Sequence, residues 1–87
     1  MKYMVTWTIK PEHIKTAIAR FKETGGQPPA GVKLLGRWHV GGTGQGFALF
    51  ETDDPVALTK GGIEWADLLD QKAVPVVEDA ELAAALQ

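Results

Sequence analysis

The chain contains no cysteine, no serine and no asparagine. Without Cys there are no disulfides, no thiolate zinc sites and no thiol nucleophiles. Without Ser a serine-type triad cannot be assembled, and without Asn no such carboxamide can hold an oxyanion. Long apolar runs are also missing, since none approaches the ~18 residues of a membrane span. Met1-Lys2-Tyr3-Met4 leads straight into a strand pattern, so no signal peptide and a cytoplasmic location are expected. Excess charge of one sign is absent too. The net charge is −2 and the nine cations are scattered, which removes the electrostatic footprint of a nucleic-acid binder. The two histidines, His13 and His39, are far apart in sequence, and no His, Asp or Glu cluster has metal-ligand spacing. No metal and no cofactor are expected.

What remains is an 87-residue chain that is 45% apolar. It reads as one domain, residues 1–87, near the lower end of what folds alone. A domain of this size buries only ~60% of its unfolded surface and is stable by roughly 5 kcal/mol, so a partner would add to it.

Lys2 to Ile9 alternates Tyr3, Val5, Trp7 and Ile9 against Lys2, Met4, Thr6 and Thr8, the period of a strand with one buried face. Pro11 suits the first turn of a helix and Glu12 its dipole; Ile14, Ala17, Ile18 and Phe21 then form one apolar stripe. Gly25-Gly26 ends that helix, and Gln27-Pro28-Pro29-Ala30-Gly31 is a stiff loop. Val32 to Val40 and Gly46 to Glu51 read as a hairpin joined by a glycine loop. That loop lacks phosphate-binding spacing and is followed by a strand, so it is a turn. Asp54 is the N-cap and Pro55 the first residue of a second helix, whose buried stripe is Leu58, Trp65, Leu68 and Leu69. Gly61-Gly62 interrupts it, marking a kink, a close approach, or a soft segment that opens a pocket. Ala73 to Val77 is a short strand that Pro75 consigns to an edge or bulge. Glu78 to Leu86 closes as a helix.

The order βαββαβ plus a terminal helix is that of a ferredoxin-like α+β fold, an antiparallel four-stranded sheet with both helices on one face. The other face carries Met4, Leu35, Phe47 and Leu49. Such a bare apolar patch predicts a homodimer through the open sheet face.

With an odd number of loop residues, His39 falls opposite Phe47, Arg37 opposite Leu49 and Leu35 opposite Glu51, while Trp38 meets Ala48 and Gly36 meets Phe50. Large opposite small motivates this register. A slip of one residue would reverse every face.

The runs Met1-Lys2-Tyr3-Met4-Val5-Thr6-Trp7, Gly31-Val32-Lys33-Leu34-Leu35-Gly36-Arg37-Trp38-His39, Gly46-Phe47, Asp53-Asp54-Pro55 and Trp65 with Leu68-Leu69 resemble a small bacterial family known only as a domain of unknown function. More loosely, the layout is similar to the dimeric α/β-barrel superfamily. It includes cofactor-free monooxygenases, haem-degrading enzymes, muconolactone-isomerase-like proteins and ligand-sensing domains. The resemblance implies the fold and a homodimer. The haem-degrading pattern needs an Asn that this chain lacks, and Gly61-Gly62 departs from the bulkier residues of relatives.

Arg37-Trp38-His39 carries the chemistry. An imidazole is the side chain suited to proton exchange near neutral pH, and a guanidinium holds a carboxylate or a developing oxyanion. In the expected register His39 and Arg37 share a face with Thr6 and Thr8, and Trp38 and Trp65 can stack on a flat ligand. Plainer roles fit the same residues: an Arg37–Glu51 ion pair, a His39 hydrogen bond across the dimer, and core packing by both tryptophans. The reading that follows is a small-molecule binding or sensing domain for a small apolar or aromatic ligand, a homodimeric α/β barrel whose sheets enclose an apolar cavity with Arg37 and His39 as its polar anchors. The alternative is a cofactor-independent monooxygenase or isomerase with His39 as base and Arg37 on the oxyanion. A third is an interaction module without a pocket.

Overall fold

A computed structural model describes all residues, Met1–Gln87. The elements are β1 (Lys2–Ile9), a short 3₁₀ turn (Pro11–His13), α1 (Ile14–Thr24), β2 (Lys33–Val40), β3 (Gln45–Glu51), α2 (Pro55–Trp65), β4 (Leu69–Val76) and α3 (Asp79–Ala85). The four strands form one antiparallel sheet in the order β2-β3-β1-β4. This is the ferredoxin-like α+β arrangement expected from the pattern, with the short C-terminal helix in place.

Local chemistry accounts for most boundaries. Gly25, at a φ of 70°, closes α1, its N–H bonded to the Phe21 carbonyl. The Asp54 carboxylate caps α2 by accepting from the N–H groups of Val56 and Ala57 at 3.0 and 3.2 Å, with Pro55 following. Glu78 and Glu81 form a capping box at the start of α3. Buried Thr52 ties two connections together: its hydroxyl donates to the Gly31 carbonyl at 2.7 Å and accepts from the Asp54 N–H at 3.0 Å.

Two expectations need correction. The buried stripe of α2 does not run on to Leu69. The helix stops at Trp65, Leu68 is buried in the turn, and Leu69 opens β4 opposite Ile9. No Gly or Pro marks that end, and the long edge of β1 takes eight pairing residues, so β4 starts four residues earlier than Ala73. Pro75 does lie on an edge strand, opposite Tyr3.

The hairpin register is also one residue away from the expected one. The loop between Val40 and Gln45 has an even number of residues, with Gly42 and Gly44 at φ 72° and 69°. Trp38 therefore pairs with Phe47, Arg37 with Ala48 and His39 with Gly46, while a bulge at Leu35 shifts the register between Leu34 and Gly36. Large does not meet small across the hairpin, since Trp38 faces Phe47; room for the tryptophan rings comes from glycines instead. Trp38 lies over Gly36 on the open face, and Trp7 lies over Gly46 on the helix face. The expectation that Arg37 and His39 share a face with Thr6 and Thr8 is overturned, because the slip moves both basic groups to the helix side.

At Gly46 a Cβ would sit 2.3 Å from Trp7 Cζ2 and 2.7 Å from the Trp38 carbonyl oxygen. One of those neighbours is backbone and cannot swing away. Gly46→Ala is expected to cost about 1–3 kcal/mol in chemical denaturation; an unchanged midpoint would contradict this register.

Candidate functional site

Only small and medium side chains fill the centre: Val5, Ala17, Ala48, Ala57 and Leu68 are the buried apolar residues, and no large side chain is fully buried. Between the sheet and α1 and α2 lies instead a cavity of about 550 Å³, partly open to solvent. That lies within the range of ligand pockets, ~300–1,000 Å³. A sealed void of that size would cost ~13 kcal/mol at ~24 cal/mol per Å³, more than the whole stability of a domain this small. The opening avoids that cost by leaving apolar walls wet.

Those walls are aromatic and aliphatic. Trp7 and Val5 rise from β1, Phe50 from β3, Phe21 from α1, and Leu58 and Trp65 from α2. The register explains the sheet contribution, since these strand residues all project to the helix side.

Arg37 and His39 reach this cavity from β2. Arg37 is largely committed to structure. Its guanidinium donates to the carbonyls of Gly26 at 2.7 Å and Gly25 at 3.3 Å, and lies 4.8 Å from the Phe21 ring centroid. A cation there neutralises the negative end of α1. Burial lowers its pKa from the ordinary guanidinium value. The Arg37–Glu51 pair considered from the sequence is not formed, because Glu51 sits opposite Lys33 and Lys2.

His39 is exposed and lines the cavity, flanked by two aromatic rings. Trp7 and Phe21 meet it at centroid distances of 5.8 and 5.7 Å with interplanar angles of 69° and 86°. Gly46, opposite His39, is what allows the Trp7 ring to come this close. The imidazole thus lies in T-shaped contact with two aromatic rings.

The remaining expected residues divide. Trp65 lines the cavity, and Arg20 stacks on it at 5.4 Å. Thr6, Thr8 and Trp38 lie on the opposite face. Thr6 and Thr8 sit across from Lys72 and Asp70, and Trp38, half exposed, stacks on Phe47 at 5.6 Å. Those three cannot act on a ligand held with His39. Trp7, Phe21 and Gln71 were missed as site residues. The first two looked like ordinary core positions, and Gln71 fell between the expected helix and strand.

The roof of the cavity is held by Arg20. It pairs bidentately with Asp67 at 2.8 and 2.7 Å and donates to the Glu64 carbonyl at 2.9 Å, joining α1 to the end of α2. The Arg20 hydrogen bond holds the Asp67 carboxyl below its ordinary pKa, and Asp67 raises that of Arg20. A lowered folded-state carboxyl pKa contributes stability above the unfolded value, ~3.9, and loses it as the pH falls through the folded value. Asp67→Asn should therefore lower the thermal midpoint at pH 7 and converge with the wild type in strong acid. A midpoint difference that persists at pH 2 would contradict the ion pair.

No curated protein matches the chain. The sequence pattern of one family does match, over residues 1–87, the full span that builds the sheet, the helices and the cavity. The chain belongs to the family described as Domain of unknown function (DUF3303).

Proposed function

We propose that this protein binds a small apolar or aromatic molecule in the cavity between its sheet and helices, as a binding or sensing domain. The observation that carries this reading is an open, aromatic-walled cavity of about 550 Å³ in a chain whose buried core is otherwise small residues. Burying such walls against a ligand recovers roughly 25 cal/mol per Å² of apolar surface removed from water. His39 supplies a hydrogen-bonding group in the cavity wall, and Arg37 positions α1 beside it. No helix is long and apolar enough to cross a membrane.

A second reading rests on the His39 ring lining the same cavity. A cofactor-independent reaction on an enolisable or phenolic molecule would use that imidazole as the base. Arg37, with two of its five N–H groups already bonded, would contribute one of the rest to the oxyanion. His39→Ala separates the two. Screening small aromatic molecules by thermal shift should find a ligand that adds ~2.7 kcal/mol of stability at a hundredfold excess over Kd. For a binding domain, stabilisation survives His39→Ala. For an enzyme, turnover falls ~10²-fold or more. No stabilising ligand across a broad aromatic set would sink both.

We further propose that two copies pair through the open sheet face. Trp38 and Phe47 form a stacked, partly exposed apolar pair there, with Leu35 and Val74 also exposed nearby in the sheet. An isologous pairing places the same patch on both sides. Light scattering after size exclusion should report a dimer at micromolar concentration, and Trp38→Glu should convert it to a monomer. A wild-type monomer would overturn the assembly without touching the cavity.

A further inference from the structure

The inner stripe of α2 has a gap at its centre. Leu58, Gly61, Gly62 and Trp65 recur at the spacing of one helix face and all line the cavity. In an amphipathic helix such positions carry large apolar side chains. Neither glycine has a positive φ, so the backbone does not require them, and each weakens the helix relative to alanine.

The two glycines differ in what surrounds them. A Cβ on Gly61 would meet Pro29 Cδ at 3.1 Å and Cγ at 3.4 Å, so Gly61 lets the proline loop approach α2. A Cβ on Gly62 would meet nothing within 4 Å. Its carbonyl accepts from Gln71 Nε2 at 2.9 Å, which links this turn of the helix to β4. That hydrogen bond acts as a strut, because it fixes the spacing between helix and sheet where the side chain is missing. The gap is held open.

We propose that Gly62 is the specificity-determining residue of the cavity, its missing side chain being the room taken by an apolar ring of the ligand. The inference rests on the cavity-binding reading and narrows it to ring-bearing, largely uncharged molecules whose bulk lies against α2 beside Trp65. A fold that needed only a filled core would gain from any larger residue at position 62.

The test uses the full chain and the uncharged fluorescent probe N-phenyl-1-naphthylamine. Its affinity and the thermal midpoint are measured for the wild type, Gly62→Ala, Gly62→Leu and the control Lys60→Leu on the exposed side of α2. Gly62→Ala should raise the midpoint by roughly 4–8 °C. Gly62→Leu should stay at least as stable as the wild type while probe affinity falls ~10-fold or more; Lys60→Leu should leave affinity unchanged. Unaltered affinity in a stable Gly62→Leu protein would overturn the role of Gly62 and leave the cavity reading standing. Lowered midpoints in both Gly62 variants would show that no room exists there and overturn it as well. Failure of the wild type to bind the probe would overturn the inference together with the reading beneath it.

Discussion

The pairing of β2 with β3 is the constraint on which the rest of the structure depends. Four loop residues and one bulge at Leu35 decide which side of the sheet every β2 side chain occupies. They send Arg37 and His39 beneath the helices and leave Trp38 on the open face. Because side chains alternate, no intermediate arrangement exists: a shift of one position exchanges the two sets completely. Gly46 and Gly36 guard this choice from opposite faces, each beneath a tryptophan ring that a Cβ would strike.

The consequence is a domain with two unlike faces and little solid core. On the helix side, glycines and alanines occupy several positions where larger residues would close the space, and the helices are held by polar connections instead. Arg20 joins α1 to α2 through Asp67 and the Glu64 carbonyl, Arg37 joins β2 to the end of α1, and Gln71 joins β4 to the middle of α2. Such contacts fix spacing without demanding that the interior be filled. Close packing does the opposite, because it is favourable only when no space remains.

On the open side, Lys2 and Glu78 join the start of β1 to the capping box of α3, with an Nζ–Oε1 distance of 3.0 Å. That contact raises the Lys2 pKa, chiefly through the Glu78 hydrogen bond. The helix itself has no buried residue, with Leu82 and Leu86 exposed. The apolar residues of β1, β2 and β3 on this face and the unburied leucines of α3 are thus distinct from the cavity in position and in chemistry.

The order of elements along the chain, the two helices, the N-cap at Asp54 and the edge placement of Pro75 were all readable from residue patterns. They follow from short-range rules: alternation, helical spacing, and the demands of caps and prolines. The bare face with Met4, Phe47 and Leu49 was readable for the same reason. The end of α2 was not, because Leu68 and Leu69 satisfy a helical stripe and a strand start equally well until β1 offers a pairing edge. The whereabouts of Arg37 and His39 were not readable either. Their face turns on whether the loop holds an odd or even number of residues and on a bulge, and the closely spaced Gly41, Gly42, Gly44 and Gly46 permit both. Sequence periodicity determined which elements form and which residues share a strand face. Tertiary pairing alone decided which face meets which neighbour, since register is set by contacts between strands and leaves no mark in the local pattern of either one.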